Sequence, residues 1–254
     1  MADDEARIPT NLRTLRILEI LGNSDRPMTP TEINQDLGLP KQTVHRLCTT
    51  LENEGFIIRE TRGKRLQPSP RLKSLASGIL YNWRNQIALR QVLLDVSAKI
   101  GETVNLAVPE ENGMLYLDRV ETDWPLRIQL PIGSNVPFHA TASGKTFLAS
   151  LSSSLRKSFV EGMGLEPITG NTFCDRHSFM QELTKVAKQG YAVDNEEFMP
   201  GMIAIAVPVK DERSRFCASL AFHAPTQRMN IQSALSCKDY LLQGAEKLGG
   251  ALFT

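Results

Sequence analysis

The sequence has no long apolar run and no paired cysteines. Its most apolar stretch, "MIAIAVPV" at 202–209, is far shorter than the roughly 20 residues a membrane-spanning helix needs. The opening "MADDEARIPT" is acidic and has no apolar h-region, so a secretory leader is not expected and a cytoplasmic location is. Cys48, Cys174, Cys217 and Cys237 are scattered without a CxxC pair. That spacing suits a reducing compartment and argues against a zinc site or a disulfide framework. GxSxG, HExxH and GxGxxG are also missing, which removes three common enzyme signatures. "SGKT" at 143–146 resembles the end of a P-loop, yet His139 stands where G-x-x-x-x-G-K-[ST] requires glycine. The preceding "LPIGSNVPF" carries two prolines instead of a strand. Without the first glycine the backbone cannot curl into an amide cradle for a triphosphate. No catalytic residue, metal or cofactor is therefore expected, and the chain does not read as an enzyme.

What is present is ordinary in bulk and uneven in detail. With 254 residues, 41% apolar and 22% charged, the chain can bury the core of one large domain or two modest ones. The net charge of +1 hides an asymmetry. Residues 1–90 hold 14 Lys/Arg against 10 Asp/Glu, and the remainder holds 15 against 18. Between Lys41 and Lys73 there are eight basic residues and three acids. Such a patch is either a solvated surface or the footprint of an anionic partner.

The first 70 residues decide between these. Leu12, Leu15, Ile17, Leu18 and Leu21 recur at mostly helical spacing up to Gly22. Thr29, Pro30 and Glu32 then form a capping box with proline at the first helical position, and Gly38 ends that short helix. A third helix opens at Pro40 and closes at Gly55, with Val44, Leu47, Cys48 and Leu51 in one stripe. Cys48 is thus a small core residue. Lys41, Gln42, Thr43, His45 and Arg46 lie on the first turn and the opposite face. Short helix, glycine turn and third helix with a basic start make the helix-turn-helix arrangement, whose last helix enters the major groove of double-stranded DNA. A strand at 56–60, a turn at 61–64 and a return from Arg65 add a hairpin wing carrying Arg62, Lys64 and Arg65. The competing interpretation is a winged-helix module that binds protein. His45 is either a phosphate contact or a neutral structural residue.

Leu72, Leu75, Ala76, Ile79, Leu80 and Trp83 make a helical stripe outside that compact unit, suited to packing against a second copy. A second helix is expected over Ile87–Ile100. From Glu102 onward the pattern becomes α+β, with an antiparallel sheet. Strands are expected at "TVNLAVPE", "MLYLDRVE", "LRIQLPIG", "MIAIAVPV" and "FCASLAFHAP". Helices are expected at "SGKT", about 155–162, 175–189 and 231–248. On the late strands Ile203, Ile205, Val207 and Val209 share one face, and Met202, Ala204 and Ala206 the other. Phe216, Ala218, Leu220 and Phe222 alternate with Cys217, Ser219, Ala221 and His223 in the same way. The small, polar faces either leave a concavity for a ligand or take a tight helix contact. Thr141 can cap a helix starting at Ala142, whose free amides at Ala142, Ser143 and Gly144 favour an anion such as a carboxylate. Lys145 is either solvated or paired with a carboxylate such as Asp194.

The stretches "LPKQTVHRLCTTLENEGFI", "GETVNLAV…YLDRVE", "GSNVPFHATASGKTFLA" and "GYAVDNEEFMPGMIAIAVPV" agree in order and spacing over nearly all of 11–248. Together they resemble the isocitrate-lyase-regulator (IclR) family of bacterial transcription factors. The resemblance implies a winged helix-turn-helix domain over 1–70, a linker helix over 71–85 and a GAF-like effector-binding domain over 86–254. It also implies a repressor acting as a homodimer, or a dimer of dimers, on a palindromic operator under the control of a small metabolite. On the DNA side it points to Arg13, Gln42, Thr43 and Arg46. Its effector site falls on the Ala142 and Ser143 backbone, on Asp194 in a loop, and on Ala204, Ala221 and His223. Relatives often carry cysteine at the position of Ala204 and serine at those of Ala221 and His223, so this chain departs there. A carboxylate effector would sit on the Ala142–Ser143 amides with His223 or Ser219 adding a hydrogen bond. Leu130, Phe198 and Met202 would form apolar walls. The alternative is a regulator whose sensor is vestigial or takes a protein partner.

Overall fold

The computed structural model describes residues 8–60, 63–83 and 87–253. Contacts divide the chain into two compact units, residues 1–79 and 80–254.

In the first unit α1 (Arg13–Gly22), α2 (Pro30–Leu37) and α3 (Lys41–Asn53) precede a two-stranded antiparallel wing of β1 (Ile57–Arg59) and β2 (Leu66–Pro68). The start of α2 is fixed locally. Thr29 Oγ1 accepts from the Glu32 amide at 3.2 Å while Glu32 Oε2 accepts from the Thr29 amide at 2.7 Å, a reciprocal capping box. Gly38 ends the helix in the left-handed region at φ 62°, where a side chain would be strained. Ile17, Leu21, Ile33, Val44, Cys48, Ile57 and Leu66 close over one another as the core. Burial pushes the Cys48 thiol up to about 11, as befits an unreactive core residue. From Pro70 the chain runs into α4 (Pro70–Trp83), on which Leu75 and Ile79 are about half exposed. The side chains of Leu80 and Trp83 lie outside the described ones.

The second unit is built on one antiparallel sheet of six strands in the order β5-β4-β3-β8-β7-β6. These are β3 (Thr103–Pro109), β4 (Met114–Val120), β5 (Asn135–Val136), β6 (Ala192–Asn195), β7 (Met202–Lys210) and β8 (Phe216–Pro225). One face packs on α5 (Ile87–Ile100) and α10 (Lys238–Phe253), with α9 (Ile231–Ser236) beside them. Leu93, Val104, Leu106, Ile205, Val207, Leu220, Phe222 and Leu241 meet there. Each such side chain contributes about 1.5–3 kcal/mol on leaving water. The other face carries α6 (Ala142–Ser150), backed by α8 (Arg176–Gln189), with α7 (Ser153–Gly162) against α8.

Four expectations need correction. The segment at 126–133 is no strand, and the short β5 pairs with β4 instead. Phe216 leaves the face of Ala218, Leu220 and Phe222, because the β7–β8 register shifts at Val209/Lys210. Its ring instead packs on Phe147 of α6. The final helix is interrupted at Cys237. Asp194 belongs to the strand β6 and not to a loop.

Candidate functional site

On α3 the first turn and outer face leave Lys41, Gln42, His45 and Arg46 exposed and Thr43 half-buried. None of the five makes a side-chain hydrogen bond or ion pair among the described residues. Neighbouring arginines are engaged. Arg59 is forked onto Glu52 at 2.6 and 3.0 Å. Arg13 Nε donates to the Ile8 carbonyl at 3.1 Å. Arg65, expected to point from the wing, turns back to the Pro27 carbonyl at 2.9 Å and to Glu32 at 3.2 Å. Thr29's amide, then Arg26, hold the Glu32 carboxyl down at about 2, so the base of the wing is stapled to the start of α2. Lys64 is exposed, and Arg62 lies outside the described residues.

In the second unit the alternation of β7 and β8 places Ala204, Ala206, Ala221, Ser219 and His223 on the face under α6, with Asn105 of β3 opposite Ala221. The alanines take a tight helix contact. Ala204, Ala206 and Ala221 form one buried cluster with Ala142 and Ala149 of α6, Val186 and Ala192. Gly144 lets the first turn of α6 lie against the preceding segment, since a Cβ there would run into the backbone of Phe138. Thr141 caps α6, its Oγ1 accepting from the Gly144 amide at 3.1 Å. Gly144 is therefore served, and the amides of Ala142 and Ser143 are the ones with no partner among the described residues. Leu130 and Phe198 pack on the adjoining cluster around Phe138, Leu148 and Phe179. Met202 is buried on the alanine face.

Lys145, the residue that makes "SGKT" look like a P-loop, is fully buried. Its Nζ sits 2.6 and 2.7 Å from the two carboxylate oxygens of Glu197, 3.9 Å from Glu182 and 5.3 Å from the Phe173 ring centroid. Its partner is Glu197 rather than Asp194. Asp194 stands next in the chain of contacts, with Oδ1 accepting from the amides of Glu197 at 2.8 Å and Phe198 at 3.3 Å. A left-handed Glu196, φ 58°, turns the backbone between Asp194 and those amides. Burial first, and the charge of Glu197 second, push the Asp194 carboxyl up to about 7.

His223, expected at the effector site, makes its bonds within the protein. Its Nδ1 faces Asn105 Nδ2 at 3.1 Å and its Nε2 faces the Ile128 carbonyl at 3.3 Å. The arrangement assigns the proton to Nε2, and both ring nitrogens are engaged within the protein. Burial, aided by the Arg119 charge, pushes its pKa down to about 4. Ser219, by contrast, is fully buried. Its Oγ, Asp194 Oδ2 and Asn105 Oδ1 are buried polar atoms without a partner among the described residues. An unpaired buried polar atom costs about 1–3 kcal/mol. Three of them lie on one sheet face, alongside two free helix amides, and such groups can receive the polar atoms of a ligand. Among the described residues no cluster of His, Cys, Asp and Glu could hold a metal, and no helix is long and apolar enough to cross a membrane.

Similarity to known proteins covers both units. Residues 12–60 match the model of the IclR helix-turn-helix domain, and residues 85–249 that of the bacterial transcriptional regulator IclR C-terminal domain. The chain is 38% identical over 237 residues to the probable transcriptional regulator SauR of Cupriavidus necator, covering 93% of this chain and 94% of that one. It is 30% identical over 220 residues to the transcriptional repressor IclR of Escherichia coli, covering 85% and 80%. A crystal structure of an IclR homologue from Microbacterium hydrocarbonoxydans, complexed with 4-hydroxybenzoate, superposes with a TM-score of 0.57 at 25% identity, covering 95% and 98%.

Proposed function

The chain belongs to the IclR family of bacterial transcriptional regulators, and from that premise we propose that it is a repressor released from or secured on its operator by a small organic acid. The observation that supports this most is the set of unpaired buried atoms, Asp194 Oδ2 and Ser219 Oγ, on the face that also holds the free amides of Ala142 and Ser143. An acid's carboxylate receives the two amides, favoured by the α6 dipole. Ser219 Oγ supplies a further hydrogen bond, and Asp194 Oδ2 accepts from a hydroxyl or amine. Leu130, Phe198 and Met202 give the apolar walls. His223 holds Asn105 and the 121–134 segment in place instead of touching the ligand.

On the DNA side Gln42, Thr43 and Arg46 read base edges, while Lys41 and His45 hold phosphates, with Lys64 at the wing. The exposed Leu75 and Ile79 of α4 form a self-association surface. A dimer, or a pair of dimers, then meets a palindromic operator at two half-sites. Binding of the acid regulates only through different affinity for the DNA-competent and DNA-incompetent states.

A thermal-shift screen of small carboxylates, 4-hydroxybenzoate included, with and without operator DNA selected from a random pool, tests this. At least one acid is expected to raise Tm and to change operator affinity. No shift with any acid would favour a sensor unit that is vestigial or takes a protein partner.

A further inference from the structure

The same sheet face carries a buried cation that the proposal above leaves unused. Arg119 of β4 pairs with Asn105 of β3, which pairs in turn with Ala221 of β8. Paired residues share a face, so Arg119 lies on the side of Ser219, Ala221 and His223. It is only 4% exposed. Its Nη1 donates to the Leu130 carbonyl at 2.7 Å and its Nη2 to the Ile128 carbonyl. The Ile128 oxygen also faces His223 Nε2, so guanidinium and imidazole meet at one atom.

The charge of Arg119 is poorly matched. Glu121 Oε1 lies 3.3 Å from its Nε but out of line for a hydrogen bond, leaving Nε as a buried donor without a partner among the described residues. The other oxygen of Glu121 serves Arg127 at 3.0 Å, so two guanidiniums share one carboxylate. The neighbouring Asp118 is taken by Arg90 at 2.9 Å. Nearby His223 is neutral at ordinary pH. The buried Arg119 guanidinium is thus met only by a part-exposed carboxylate that it shares with Arg127, and a buried charge with an incomplete partner is costly.

We propose that Arg119 selects a second acidic group on the effector, making the preferred ligand a short dianionic acid. This rests on the carboxylate site at the start of α6 proposed above. One carboxylate takes the Ala142–Ser143 amides. The other takes the N–H donors that Arg119 does not use on Ile128 and Leu130, with Ser219 Oγ available to either. A monocarboxylate fills the first position and leaves the guanidinium unmatched.

Isothermal titration with size-matched pairs, propionate against malonate and butyrate against succinate, tests the assignment. The wild type should bind at least one dianion about tenfold or more tightly than its monoanion. Arg119→Gln should abolish that preference while retaining monoanion binding, and Arg119→Lys should restore part of it through charge alone. Because Arg119 also ties the 121–134 segment, Arg119→Lys decides the matter if Arg119→Gln does not fold. Equal binding of both classes by the wild type, or a preference that survives Arg119→Gln, overturns the proposal and leaves the α6 site standing. So does a folded Arg119→Lys without the preference. If neither class binds the folded wild type, the α6 site falls together with it.

Discussion

The two units hold their unpaired polar groups in opposite surroundings. Lys41, Gln42, His45 and Arg46 on α3 stand in solvent, where water satisfies them at little cost. Asp194 Oδ2, Ser219 Oγ and Asn105 Oδ1 are shut away from water with nothing to bond, at about 1–3 kcal/mol each. The first surface is ready for a large polar partner without stress on the fold. The second is a standing cost to the fold that a ligand's polar groups would relieve; a partner of the folded state stabilises it by mass action at either surface, but only there would it also remove an internal penalty.

Substitutions can break this contrast, and the largest effect is expected deep in the second unit. Lys145→Met leaves Glu197 buried without its cation and should cost about 3–5 kcal/mol in urea denaturation. A loss below about 1 kcal/mol would show that water reaches the pair. Asp194 gives a pH signature of the same burial. Its folded pKa of about 7 lies above its ordinary 3.8, so between roughly pH 4 and 7 the folded state keeps a proton that the unfolded state has released. Stability should fall with rising pH there by about 1.4 kcal/mol per unit. The depressed His223 pushes the opposite way in its own window, from about 6.5 down to about 4. The difference between wild type and Asp194→Asn removes that contribution. Denaturation across pH should show the wild type losing ground to the variant up to about pH 7; a flat difference would refute the buried carboxyl whose Oδ2 has no partner.

On α3 the expected effect is on affinity alone. Arg46→Ala should weaken operator binding by about 1–3 kcal/mol with Tm unchanged, in a salt-controlled gel shift. Arg65→Ala should do the reverse, lowering stability through the lost Glu32 and Pro27 contacts. Ser219→Ala is the smallest and the sharpest. It removes an unpaired hydroxyl, so the empty protein should be unchanged or up to about 1 kcal/mol more stable, while the ligand-induced shift in Tm shrinks. A clear destabilisation would mean that Ser219 has a structural bond.

Elements whose signals are local were legible in the sequence. Thr29, Pro30, Glu32 and Gly38 define α2 within ten residues, and the alternation of β7 and β8 gives their faces. What failed depends on distant partners. Leu126, Ile128, Leu130 and Ile132 alternate as a strand would, yet their segment's carbonyls are bonded by side chains. Arg228 serves Leu126 at 3.1 Å, while Arg119 serves Ile128 and Leu130. Without ladder bonds the segment is no strand. Lys145 meets a glutamate 52 residues away, which no spacing rule anticipates. The β7–β8 bulge that sends Phe216 to the other side is silent in an alternating pattern. The positions of Ala142, Ser143 and Asp194 could be inferred from motif and resemblance. The placement of Asn105 and Arg119 on the face of Ala221 and His223 follows from the strand register, which no local signal gives.

Gly144 has a mechanical consequence. Because its missing Cβ lets α6 lie against the Phe138 backbone, the first turn of that helix has no slack toward Phe138. The Phe138 ring in turn touches Phe147 and Phe159, each at 5.3 Å between centroids. Ala142 and Ser143 are therefore tied, with no side chain between, to an aromatic block that reaches Phe159 of α7. A glycine that looks like a nucleotide motif works here as a rivet.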